Sequence, residues 1–202
     1  MRRCFISYKK EDTHFKKYLI EYFGSESFID KSLDKTIDSK NGEYVLQVIR
    51  DEYLSDSTVT LFLIGEHSSE NEGVDSHGDK NFFIKRELAA SLHNGKGNTR
   101  NGIVGIVLPS MYSRIFKGRY YCTVCGNYHN HVDINDSTVI REFGYNYYVE
   151  PHQGCAWTEE QRYCVLAKWD DFIKNPEEYI ELAFGKRETD LINRIRIRNL
   201  RE

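Results

Sequence analysis

Long hydrophobic runs are missing from this sequence. No stretch approaches the roughly 18 apolar residues of a membrane span, and the apolar run in the opening MRRCFISY is too short for a secretory leader. The expected compartment is therefore the cytoplasm. A strong charge of either sign is missing as well. With 28 basic against 31 acidic residues and a formal net charge of -3, there is no global basic field, so neither nucleic acid nor a membrane is expected as a partner. Absent too are a G-x-x-x-x-G-K-[ST] phosphate loop, a G-x-G-x-x-G turn after the first strand and a G-x-S-x-G elbow. Their absence argues against NTPases, dehydrogenases and hydrolases built on those motifs. Cysteine is odd in number, five in 202 residues, and a reducing compartment keeps such a set as thiols or metal ligands.

What is present is a rhythm of buried strands and amphipathic helices. CFISY (Cys4 to Tyr8), TVTLFLIG (Thr58 to Gly65) and GIVGIVLP (Gly102 to Pro109) are continuous apolar runs. A strand in a parallel sheet covered on both faces has that character, because neither of its sides meets water. YCVLAKW (Tyr163 to Trp169) and SFID near Phe28 are weaker strand signals. Between them, Phe15, Tyr18, Leu19, Tyr22 and Phe23 follow helical spacing up to a stop at Gly24. Val45, Val48, Ile49 and Tyr53 repeat the pattern, and Asn81 to Leu92 is a third helix. Such alternation predicts an α/β fold: an open, mainly parallel, doubly wound sheet with helices on both faces.

Residues 110–160 break the rhythm and read as an irregular insertion before the last strand, too long for a plain loop. The expected organisation is thus residues 1–109 as the first part of the core, 110–160 as insertion, and 161–202 completing the domain. In this last part Pro176 opens a helix, and Leu191, Ile192, Ile195 and Leu200 continue an apolar stripe against a solvated Arg-rich face.

Doubly wound sheets bind ligands beyond the carboxyl ends of their strands. That rule singles out Ser7, Tyr8, Lys9 and Lys10 after the first strand, where the lysines suit a pyrophosphate and Tyr8 a stacked ring. Asp30 and Ser32 occupy the second strand's exit; His67, Ser68 and Ser69 follow the central strand. In the insertion, CTVCGNYHNH sets Cys122 and Cys125 at the spacing that presents two thiolates from one turn. His129 or His131, with Cys155, His152 or Cys164, would complete a structural zinc site tying down a segment that lacks a core. A reducible thiol pair and incidental cysteines are the alternatives.

Glu87 poses a separate question, because helical spacing sets it among Phe83, Ile84, Ala90 and Ser91, while Lys85 and Arg86 turn outward. A carboxylate among apolar groups must be paired or employed. Lys85, Arg86 and Arg50 are available as partners. With FISYKKED leading the first strand into a polar loop, STVTLFLIG as the central strand and KNFFIKREL carrying the helix carboxylate, the chain resembles a TIR-domain protein. More narrowly, it is similar to the TIR-like sensor proteins of bacterial Thoeris anti-phage systems. The likeness covers about residues 2–109 and, again, 163–184.

The resemblance implies a flavodoxin-like TIR fold and a catalytic role for Glu87 in an NAD+ glycohydrolase or cyclase. NAD+ would be the substrate, the product an ADP-ribose-derived, typically cyclic, signal, and a separate effector protein the downstream partner. It also implies self-assembly through TIR surfaces. Nicotinamide leaves a pyridinium as a neutral molecule, so one carboxylate beside an oxocarbenium-like ribose suffices and no catalytic metal is required. A TIR scaffold without turnover, or a nucleotide-binding sensor, is the competing expectation.

Overall fold

Three apolar runs become central strands in the computed structural model, which describes residues 2–24, 28–29, 41–72, 82–94 and 99–198. These are β1 (Cys4–Ser7), β3 (Val59–Ile64) and β4 (Gly102–Val107), buried at every position. The short β2 (Phe28–Ile29) flanks β1 and β7 (Val165–Lys168) flanks β4, giving a five-stranded parallel sheet in the order β2-β1-β3-β4-β7. This is the flavodoxin-like order, with the chain reversing direction of progress between β1 and β3. A separate antiparallel hairpin joins β5 (Phe116–Tyr121) to β6 (Tyr128–Val132).

The helices are α1 (Thr13–Phe23), α2 (Gly42–Ile49), α3 (Phe82–Leu92), α4 (Tyr112–Ile115), α5 (Arg141–Tyr147), α6 (Trp169–Phe172) and α7 (Pro176–Gly185). Strand periodicity sorts the core into two faces. Leu61, Leu63, Val104 and Ile106 meet α1 through Leu19 and α7 through Ile180 and Ala183. Phe62, Ile64, Ile103 and Val107 meet Ile84, Leu88 and Leu92 of α3 and Phe143 and Tyr147 of α5. Each such side chain contributes about 1.5–3 kcal/mol by leaving water, so the alternation fixes register as well as stability.

Two expectations are revised here. The stretch 110–160 is not wholly an insertion, because α5 is the crossover helix between β4 and β7, and Phe143 lies so close to β4 that a Cβ at Gly105 would stand 2.5 Å from its ring. Only the hairpin and the loop around residues 150–161 project from the core. Nor does the apolar stripe after α7 continue as one helix. Short 3-10 turns at Lys186–Glu188 and Asp190–Arg194 give way to a non-helical strap at 195–198. There Arg196 N donates to Asn146 Oδ1 (2.9 Å) while Asn146 Nδ2 donates to Arg196 O (2.8 Å).

The end of the strap is not a solvated basic face either. Arg198 reaches Glu142 with Nε and Nη2, each at 2.6 Å, and Glu70 with Nη1 at 2.9 Å. Leu200 lies outside the described residues. On α1, Leu19 is the buried apolar residue, while Tyr18 and Tyr22 stay exposed and stack on each other at 5.5 Å. Among the described residues, no helix is long and apolar enough to cross a membrane.

Candidate functional site

In sheets of this order a ligand crevice is expected at the carboxyl ends of β1 and β3, where the strand order reverses. β1 ends on Ser7 and β3 is followed by Gly65. Into this edge α3 delivers Glu87, which is only 4% exposed, and Ser7 Oγ donates to Glu87 Oε2 at 2.7 Å. The helix has little freedom to turn the carboxylate away, since Ile84, Leu88 and Ser91 are buried on the same side. Ser91 Oγ also closes onto Glu87 O at 2.7 Å and meets Thr60 Oγ1 at 2.8 Å. Asn101 extends the ladder, donating from Nδ2 to Ser57 Oγ (2.8 Å) and Thr60 Oγ1 (3.1 Å). These buried polar groups fix the rotation of α3 against β3.

Two of the cations considered as partners for Glu87 are engaged elsewhere. Arg50 is buried and donates to Ala90 O at 2.6 Å and to Thr99 O, covering the carbonyl end of α3, where a positive charge is favoured. Burial brings its pKa down to about 10, which leaves it charged at neutral pH. Lys85 does not simply turn outward: its Nζ is 2.9 Å from Glu70 Oε1.

Around the crevice, Tyr8 is half-buried, its hydroxyl accepts from Lys16 Nζ at 3.2 Å, and the ammonium stands 4.8 Å from the ring centre. Lys9 is half-buried and Lys10 exposed, next to a turn closed by Asp12 N to Lys9 O at 2.8 Å. His67 is exposed. Ser68 and Ser69 are buried, and Ser68 Oγ donates to Gly65 O at 2.8 Å, so this hydroxyl braces the turn after β3. Asp30 and Ser32 lie outside the described residues.

Sequence reasoning missed Asp12. Its carboxylate is 9% exposed and lies against the end of β3, where a Cβ on Gly65 would fall 2.3 Å from Oδ2. Only glycine admits that approach without displacing the acid. Burial pushes the Asp12 pKa up to about 6, helped by the neighbouring charge of Glu11 and opposed by His14 and His67. An acid shortly after a buried first strand, with Gly closing the central strand, was the available signal. This end of the sheet thus has two enclosed carboxyl groups, one hydrogen-bonded by a serine and one whose pKa burial raises.

A family model for the TIR-like domain of the Thoeris protein ThsB matches residues 5–112, more than half of the chain. The chain belongs to the ThsB TIR-like family. The ThsB match includes Ser7, Asp12, Gly65 and Glu87, and so spans the residues just described at the carboxyl end of the sheet. The hairpin, α5, β7 and α7 lie beyond the ThsB match.

Beyond that span, the side chains expected around a metal are partly brought together. Cys122 Sγ, Cys125 Sγ, a ring nitrogen of His129 and Cys155 Sγ all lie within 4.8 Å of one another. His131 is not in the group; it meets the ring of Tyr120 and lines a cleft of about 390 Å³ between the hairpin and β7. Cys164 is sealed in the core beneath α5, and His152 stacks on Trp157 at 3.5 Å.

Proposed function

We propose that the protein is an NAD+ glycohydrolase or cyclase that breaks the bond between nicotinamide and ribose and yields an ADP-ribose-derived signal, cyclic in its main form. The observation that carries this reading is the Ser7–Glu87 hydrogen bond at the strand-order reversal. In an oxocarbenium-like transition state positive charge develops on the ribose, and a carboxylate held in a low-dielectric crevice stabilises it far more than in water. Because the departing base is neutral, the acid demand is small. Ser7 positions the carboxylate; Tyr8, Lys9 and Lys10 border the path by which a dinucleotide would enter. No metal has a part in this chemistry.

By family membership, the signal would act on a separate effector in anti-phage defence. A crevice completed by a neighbouring copy would make specific activity rise with protein concentration. The test is nicotinamide release from NAD+ by the full chain, with and without extract of infected cells, for wild type and Glu87→Gln. The expected result is a loss of about 10²–10³-fold in the variant with its thermal unfolding midpoint retained. A fully active Gln variant would end the proposal. The near-complete enclosure of Glu87 favours one rival, binding of a nucleotide without turnover, which predicts saturable NAD+ binding and no nicotinamide under any trigger.

A further inference from the structure

The four-residue cluster outside the TIR-like span has a different logic from the crevice. β5 and β6 are mostly exposed along their length. A two-stranded hairpin with so little burial is at best marginally stable by itself. The loop that faces its tip, carrying Cys155, has little regular structure beyond one short turn at Glu159–Gln161. The base of the hairpin packs on the core through Phe116 and Val132, but its tip around Cys125 and the facing Cys155 are exposed, so apolar burial does little to join them.

At the hairpin tip the chain forms a tight knuckle. Gly126 N donates to Cys122 O at 2.9 Å, Cys122 N to Asn127 O at 2.8 Å, and Gly126 takes φ 71°, a conformation glycine adopts readily. Cys125 Sγ stands 3.0 Å from His129 Nε2, and Cys155 approaches from the opposite segment after Gly154, which has φ 95°.

We propose that Cys122, Cys125, His129 and Cys155 bind one structural Zn2+ that fastens the β5–β6 hairpin to the 150–161 loop. Ligand atoms about 2.0–2.3 Å from a tetrahedral zinc stand about 3.3–3.8 Å from each other. The ligand atoms lie within 4.8 Å of one another and the Cys125–His129 pair stands at 3.0 Å, so the four bracket that spacing and side-chain shifts of up to about 1 Å meet it. Three soft thiolates and one imidazole select zinc over harder cations. Four protein ligands fill the coordination sphere, so the ion is structural and leaves no position for water or substrate. Binding releases the thiol protons, and no redox partner is involved. All five cysteines are free thiols, and pairing two of the three in the cluster would leave the third without a role.

The experiment uses the full chain purified under reducing conditions, with metal measured by mass spectrometry and the zinc replaced by Co2+ for absorption spectroscopy. One zinc per chain and a visible tetrahedral cobalt band with sulfur-to-metal charge transfer are expected. Cys125→Ser and Cys155→Ser should lose the metal, His129→Cys should keep it with a more thiolate-rich cobalt spectrum, and His131→Ala should match wild type. If the serine variants fail to fold, wild type remains decisive: a chelator should speed amide exchange in residues 116–132 and 150–161 and leave β3 and β4 unchanged. Wild-type protein that holds no zinc after anaerobic reconstitution, or that holds it equally well in both serine variants, overturns the proposal. So does a disulfide between Cys122 and Cys155 in the freshly purified chain. None of these readouts depends on NAD+ turnover.

Discussion

Ser7 and Glu87 come from elements 80 residues apart and meet through a single 2.7 Å hydrogen bond. Removing the donor leaves the carboxylate in the same enclosure with one bond fewer. Ser7→Ala is therefore expected to cost about 1–3 kcal/mol in unfolding free energy and to slow nicotinamide release about tenfold, with Ser7→Thr restoring much of both. Denaturant titration and the turnover assay check the two effects separately. Asp12 makes a prediction with a defined sign. Its folded pKa is raised to about 6, so the folded chain binds more protons than the unfolded one across the interval from about pH 4 to 6. Stability from this group falls as pH rises through that window. Asp12→Asn should match wild type near pH 4 and be more stable by about 1–2 kcal/mol at pH 7, after a discount for residual solvent screening. Thermal unfolding at the two pH values reads this directly. At this scale, Glu87 was legible because an acid interrupts a helical apolar stripe. Asp12 was not, because its burial depends on the turn that folds it against Gly65.

At the scale of elements, continuous apolar runs identified β1, β3 and β4, since strands covered on both faces cannot alternate. The crossover helix α5 escaped because it has only seven residues, set in a Tyr- and Asn-rich stretch. Its place is fixed by Phe143 against Gly105, a pair no local pattern announces. Gly105→Ala should therefore cost about 1–3 kcal/mol by forcing Phe143 outward, and a second change, Phe143→Leu, should recover part of the loss. Urea unfolding of the single and double variants measures that coupling. Additive losses would mean that the two positions do not touch.

For the whole molecule, the C-terminal strap ties distant parts of the sheet edge together through Arg198. Its guanidinium joins Glu142 of α5 to Glu70 after β3, and Glu70 also holds Lys85, two residues before Glu87 on α3. Burial alone would raise the Glu70 carboxyl, but the bonds from Arg198 and Lys85 outweigh it and hold Glu70 below the usual range. Its contribution is complete above about pH 4.5 and is lost as pH falls through the lowered folded value. Arg198→Met leaves two enclosed carboxylates without their shared cation, and a loss of about 3–5 kcal/mol is expected at pH 7. The penalty should shrink on acidification, when Glu70 takes up a proton, and calorimetry across pH 4 to 7 checks both statements.

The sequence by itself determined the parallel sheet, most of its helices and the carboxylate on α3, because hydrophobic periodicity and the carboxylate's local neighbours are properties of adjacent residues. It also supplied the two-cysteine knuckle. Tertiary structure alone decided which distant groups meet: Ser7 with Glu87, Asp12 with Gly65, Arg198 with two acids, and Cys155 rather than Cys164 with the knuckle. Such pairings depend on how chain segments far apart in sequence are stacked and crossed. Spacing along the chain carries no information about that until the sheet order is known.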